Sequence, residues 1–173
     1  MFGIVQGGTD AALRARSCQE IAEHAPYGYG IGGLSVGEPR SLMTEMLHVT
    51  AENLPEEKPR HLLGVGYAQD IEEAVKYGVD LFDTVLPTRL ARHGSYLTDD
   101  TFETVRKNEY RADPDPLVKG CDCTTCQKYS RAYLRHLVAV QEIAAFTLIT
   151  IHNLRTLIRK MENIRARIRA GKI

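Results

Sequence analysis

Short apolar runs alternating with helical patterns, a Cys-x-Cys-x-x-Cys cluster answered by a later histidine, and long helical stretches at the C-terminal end together predict an α/β fold. Four consecutive strand-helix units imply a parallel sheet with right-handed crossovers, which is half of a (β/α)8 TIM-type barrel. A complete barrel takes about 250 residues. Residues 1–93 are therefore read as half of such a barrel, with four strand-helix units, and residues 94–173 as a zinc-binding subdomain with long C-terminal helices.

Gly3 to Gln6 reads as a first strand entering a Gly-Gly turn. Thr9 is expected to cap the helix that follows, over Ala11 to His24, with Leu13, Cys18, Ile21 and Ala22 as its apolar positions. Tyr29 to Leu34 is the second strand, and a helix from about Pro39 to Asn53 ends before Pro55 and Pro59. His61 to Val65 forms the third strand. A helix from Asp70 to Tyr77 then leads through Gly78 to the fourth strand, Asp80 to Val85. Gly94 to Lys119 is a polar excursion with short strands expected near Tyr96 and Phe102. Beyond the cysteine cluster, helices are expected over Lys128 to Ala145 and Thr147 to Ala170.

Cys121, Cys123 and Cys126 lie close enough to grip one tetrahedral ion, and His152, 26 residues after Cys126, completes a closed Cys₃His shell. The predicted cofactor is one structural zinc. With protein ligands at every position, no place is left for water or substrate, so this metal folds the chain and does not catalyse. Reduced core cysteines or a disulfide are the competing reading, but side chains two apart stand parallel and about 6.7 Å apart on a strand and point different ways on a helix, neither of which favours a bridge. Cys18 falls on the first helix as a small buried residue, and an odd cysteine outside the cluster argues for a reducing compartment. The start MFGIVQGG has no basic region or long apolar core, and no stretch is long enough to span a bilayer, so a soluble cytoplasmic protein without a membrane partner is expected.

The formal net charge is zero but unevenly spread. From Ile151 to Ile173 there are seven Lys or Arg against one acid, Glu162, leaving the remainder net acidic. A basic terminal helix suits a polyanion such as RNA, and it equally suits a solvated face.

Catalytic side chains of parallel barrels project from the C-terminal ends of strands. Those ends carry Gln6-Gly7-Gly8, Gly32-Gly33-Leu34 with Glu38 beyond, Gly64-Val65-Gly66, and Asp83. Glycines let a flat ligand approach the backbone, and Gln6 offers both donor and acceptor to a base edge, which suits a planar heterocycle. Asp83 stands inside the apolar run Leu81 to Leu86. A carboxylate there is either a hydrogen-bonded helper or a catalytic nucleophile.

The stretches FGIVQGG (Phe2 to Gly8), GIGGLSVGE (Gly30 to Glu38), LLGVG (Leu62 to Gly66), DLFDTVLPTR (Asp80 to Arg89) and CDCTTCQKYSRAYLRHL (Cys121 to Leu137) resemble the tRNA-guanine transglycosylases, and more closely the bacterial queuine tRNA-ribosyltransferases. The likeness runs over the whole chain but covers only the family's C-terminal half. It implies exchange of guanine at the tRNA wobble position for a 7-deazaguanine base, on a barrel with a zinc subdomain. Asp83 would be the nucleophile forming a covalent ribosyl ester, with Gln6, Gly33, Leu34 and Glu38 around the base. Segments matching Gly64, Val65, Gly66, Tyr67, Ala68, Gln69 and Asp70, and Thr88, Arg89, Leu90, Ala91 and Arg92, would contact RNA. Val36, between Ser35 and Gly37, follows the bacterial pattern and points to 7-aminomethyl-7-deazaguanine as the incoming base. Ala68 stands where relatives commonly have proline, and Leu90 where a polar residue is frequent.

The resemblance also implies that the general base and part of the base pocket lie in an N-terminal half outside this chain. The expected partners are thus tRNA, the base and that missing half, with a homodimer once complete. Without the missing half the isolated chain is expected to be inactive. The alternative is a noncatalytic zinc-containing subunit of the same family that binds RNA or forms dimers.

Overall fold

The computed structural model describes residues 1–24, 27–99 and 101–173. It divides into two compact units, Met1–Thr84 and Val85–Ile173. The sequence reading closes its first part at residue 93. Residues 85–93, however, belong to the second unit, where the helix they form packs on the C-terminal helix.

The first unit alternates β1 (Gly3–Val5), α1 (Ala11–His24), β2 (Tyr29–Ile31), α2 (Arg40–Asn53), β3 (Arg60–Leu62), α3 (Ala68–Lys76) and β4 (Leu81–Phe82). All strands are parallel in the order β1-β2-β3-β4, so the alternation read from sequence is realised as an α/β unit. Val5, Ile31 and Leu62 point toward the helices. Ile31 and Leu62 join Met43, Met46, Leu47 and Ala74 in one core, while Val5, Cys18, Tyr29 and Leu54 form a second cluster beneath α1. The opposite face carries the register row Ile4, Gly30, His61 and Leu81, of which Ile4 is 50% and Leu81 44% exposed. Parallel sheets are ordinarily covered on both faces. Here the helices of the unit cover one.

Local sequence sets the ends of these elements. Asp10, rather than the expected Thr9, caps α1: its Oδ1 accepts the Leu13 N–H at 2.9 Å. Cys18, Ile21 and Ala22 turn inward as expected, but Leu13 is 56% exposed and Arg14 takes the buried position beside it. Helix α2 stops where Leu54 turns extended ahead of Pro55. Gly78, at φ +74°, closes α3: its N–H bonds to Val75 and that of Val79 to Ala74. A side chain at Gly78 would meet Arg60 Nη1 at 2.9 Å.

The second unit contains α4 (Leu86–Arg92), the antiparallel hairpin β5 (Ser95–Leu97) and β6 (Phe102–Thr104), a 3₁₀ turn (Asn108–Ala112), α5 (Thr124–Lys128), α6 (Arg131–Ala139) and α7 (Ile143–Arg169). Its core joins Ala91, Tyr96, Val105, Leu117, Leu134, Val138, Ala145 and Ile149. Asn153 of α7, fully buried, is the polar tie: its Oδ1 accepts Leu97 N at 2.7 Å, and its Nδ2 donates to Pro87 O at 2.9 Å and Ser95 O at 3.3 Å.

The two long helices expected here are corrected in detail. Lys128 ends α5, Ser130 caps α6 through the Tyr133 N–H, and the break before α7 lies at residues 140–142 instead of 146. Gln141 at φ +60° explains that break, because a left-handed residue cannot continue a helix. The short strands near Tyr96 and Phe102 are present as expected. No helix among the described residues is long and apolar enough to cross a membrane.

Candidate functional site

In the second unit the cysteine cluster lies in the loop entering α5 and on that helix, against the middle of α7. Cys121, Cys123, Cys126 and His152 gather their donor atoms within 4.8 Å of one another. His152 Nδ1 stands 3.6 Å from the Sγ of Cys121, 3.6 Å from that of Cys123 and 3.3 Å from that of Cys126. A tetrahedral zinc with ordinary Zn–S and Zn–N lengths separates nitrogen and sulfur by about 3.5 Å. The donor set therefore fits a metal ion of that kind.

The remaining contacts orient the ligands. His152 Nε2 lies 2.9 Å from Leu97 O, so the proton on that nitrogen is engaged and Nδ1 turns its lone pair to the sulfurs. Cys123 Sγ also accepts the Cys126 N–H at the start of α5. Arg155, one turn past His152, grips both oxygens of Asp122 at 2.8 and 2.7 Å, tying the cluster loop to α7. Burial raises the Cys121 thiol and pushes Cys126 up to about 12, while it lowers His152. Buried sulfurs of this kind ionise when a cation shares their site.

In the first unit the residues expected from sequence lie at C-terminal strand ends in two groups, Asp83 with Gly64 and Gln6 with Gly33. Asp83 follows β4 directly. The sequence places it inside an apolar run, but its side chain is 59% exposed at the strand end. Its Oδ1 accepts the Gly64 N–H at 3.3 Å and lies 3.0 Å from His61 Nε2. His61 Nε2 has no hydrogen-bond partner, so this approach is a close contact and not a formed hydrogen bond. Sequence reasoning missed this neighbour. Period-two alternation along β3 was the available signal, since it places His61 on the open face in register with Leu81, two residues before Asp83.

Gln6 follows β1 directly, with its N–H donated to Ser17 Oγ at 3.1 Å. Its amide lies over the turn after β2: a Cβ on Gly32 would come 2.8 Å from Gln6 Nε2, and one on Gly33 2.8 Å from Gln6 Oε1. Gly33 also needs φ +68°. Glycine is thus required at both places for Gln6 to lie there. Leu34 turns its side chain into the core and is almost completely buried. Glu38 folds back on its own turn, accepting the N–H groups of Ser35 and Val36. Burial pushes its carboxyl up, but the N–H groups of residues 35–38 outweigh that and hold it below the ordinary carboxylate range. Val36 at the tip is 83% exposed.

The segments expected at RNA divide by burial. In 64–70, Gly64 and Tyr67 are exposed, Val65 is buried, and Gly66 has no room for a side chain because a Cβ would sit 2.2 Å from Thr84 Oγ1. Arg40 pairs with Asp70 at 2.6 Å and donates to Gln69 Oε1 at 2.7 Å, fixing the first turn of α3. In α4 of the second unit, Thr88, Arg89 and Arg92 are exposed while Leu90 and Ala91 enter the interior. Leu90 and Ala91 hold the helix, and its arginines face outward.

The family model described as queuine tRNA-ribosyltransferase matches residues 1–173. Among curated relatives, the queuine tRNA-ribosyltransferase of Symbiobacterium thermophilum is 53% identical over 99% of this chain and 43% of its own length. That of Pelotomaculum thermopropionicum is 52% identical over 100% of the chain and 47% of its own length, and that of Dictyoglomus turgidum 47% identical over 100% and 45%. The chain spans less than half the length of these relatives.

Proposed function

The chain belongs to the queuine tRNA-ribosyltransferase family, and we propose that it supplies the C-terminal half of a tRNA-guanine transglycosylase barrel and the nucleophile of its reaction. The substrates in this reading are tRNA, whose wobble guanine is expelled, and 7-aminomethyl-7-deazaguanine, which replaces it. The carrying observation is Asp83 at the C-terminal end of a parallel strand, in a chain matched to the family over its full length.

Both close contacts to Asp83 fall on Oδ1, from Gly64 N–H and His61, which leaves Oδ2 to attack the anomeric carbon of the ribose. As the Oδ2–C1′ bond forms, the C1′–N9 bond breaks and guanine leaves with the bonding electrons, taking up a proton. The incoming base then attacks C1′ through N9, loses its proton, and frees the Asp83 carboxylate. Splitting one displacement into two eases a reaction that passes through oxocarbenium-like states. Gln6 and the Gly33–Leu34 backbone read the base edge, and Glu38 lies within reach of the aminomethyl group. Arg89 and Arg92, exposed on α4, bind phosphates of the tRNA, and the nucleotide that reacts is flipped from the anticodon stack. The cysteine cluster holds one structural zinc. Cytoplasmic location and a homodimer of the complete enzyme rest on the resemblance.

The general base belongs to the other half, which would cover the face bearing Ile4 and Leu81. Labelled guanine exchange into tRNA tests the reading: the chain alone is expected to be inactive and to gain activity when a relative's N-terminal half is supplied. Continued inactivity of a folded, zinc-loaded complex would favour the noncatalytic reading.

A further inference from the structure

Arg14 is the largest fully buried side chain among the described residues, at 0% exposure. Burying a guanidinium is costly, and such groups are ordinarily matched by a carboxylate. The Glu38 carboxylate attracts Arg14 without a hydrogen bond, and the three hydrogen bonds of Arg14 go to backbone carbonyls. Nε and Nη2 donate to Gly8 O at 3.1 and 2.6 Å, and Nη2 also donates to Gly32 O at 3.2 Å. Gly8 lies in the turn after β1 and Gly32 in the turn after β2, so one side chain joins the two turns that carry Gln6 and Gly33. The turns also lie close together. A Cβ on Gly33 would come 3.5 Å from Gly8 N and 3.7 Å from Arg14 Nη2, and one on Gly7 would collide with Arg14 N at 2.6 Å. Nη1 is buried without a hydrogen-bond partner.

We propose that Arg14 is a positioning residue for base recognition: its planar fork locks the turns after β1 and β2 into one rigid edge on which Gln6 and Gly33 meet the incoming base. The ligand in this proposal rests on the transglycosylase reading, whereas the clamp itself rests on the hydrogen bonds. An ammonium is a point donor on a flexible stem and cannot reproduce a fork spanning two loops, so charge alone does not suffice. The role explains why α1 accepts a buried cation where Leu13, beside it, supplies an apolar side chain that stays outside.

The test uses Arg14→Lys, which keeps the charge, and Arg14→Met, which keeps the stem and removes every donor, each in the enzyme completed with its N-terminal half. Both are expected to raise KM for the incoming base about tenfold, the loss of roughly one net hydrogen bond's worth of positioning. Affinity for tRNA by band shift is expected to stay unchanged. Amide hydrogen exchange on the same variants should speed up together in residues 7–10 and 32–37, with residues 60–66 unaffected. A base KM equal to the unsubstituted enzyme's, or base and tRNA affinity falling together, would overturn the role. Loosening of one turn without the other would overturn the clamp. If the unsubstituted enzyme exchanged no base, the transglycosylase reading would fail and the base-positioning role with it, while the paired exchange result would still decide whether the clamp exists.

Discussion

The Asp83 carboxylate is held from one side only: Gly64 N–H and His61 both address Oδ1. In the proposed mechanism one oxygen is fixed and one available: the Gly64 N–H fixes Oδ1, and the His61 ring beside it limits where the carboxylate can turn. His61→Leu is expected to lower kcat for base exchange by about 10- to 100-fold, the range for a small misplacement of reacting atoms, with tRNA affinity retained. Equal kcat for the variant would remove His61 from the account. Glu38 makes a pH prediction. Its folded-state pKa is depressed, so its contribution is present above the unfolded carboxylate value, about 4.3, and is lost as pH falls through the lower folded value. Hydrogen exchange of residues 35–37 should therefore gain an acid-induced loosening below about pH 4 that Glu38→Gln lacks, because the variant is pH-independent there. The same loosening in the variant would count against it.

At the scale of elements, α7 carries both the candidate metal ligand His152 and the tie Asn153. Asn153→Ala leaves the Leu97 N–H and the Pro87 and Ser95 carbonyls without this partner, and is expected to cost about 2–3 kcal/mol in chemical denaturation. A loss within the error of the wild-type curve would contradict the role given to it. The adjacent His152 was legible because three cysteines at metal-ligand spacing ask for a fourth donor. The parallel alternation of β1 to β4 was legible because apolar runs and helical periods alternate regularly. Helix α4 was not: seven residues containing Pro87 are too few to show a period. The α6–α7 break was hidden because Gln141 is not a residue type that announces a left-handed turn. Arg14 was hidden for the opposite reason, since an arginine beside a leucine on a helix reads as the solvent side until the carbonyls it serves are seen. Asp83 was found as an outlier in an apolar run, yet its exposure depends on β4 ending at Phe82, a boundary the run does not mark.

For the whole molecule, the two units make separable predictions. Chelation of the metal should erase exchange protection in β5, α6 and α7, whose core closes around the cysteine cluster, because binding energy at such a site is largely folding energy. A Cys123→Ser chain with unchanged metal content and protection would contradict this. The first unit shows one sheet face with half-exposed Ile4 and Leu81, and the chain spans less than half of its relatives' length, so the complete catalyst is expected only once that face is covered. The account's central claim is that Asp83 becomes covalently joined to the ribose, and denaturing gels of labelled tRNA test it most directly in the completed enzyme. The unsubstituted protein should give a shifted band that survives denaturation and disappears on adding excess 7-aminomethyl-7-deazaguanine, and Asp83→Asn should give none while still binding tRNA. An adduct of normal yield on Asp83→Asn would contradict the account and place the nucleophile elsewhere.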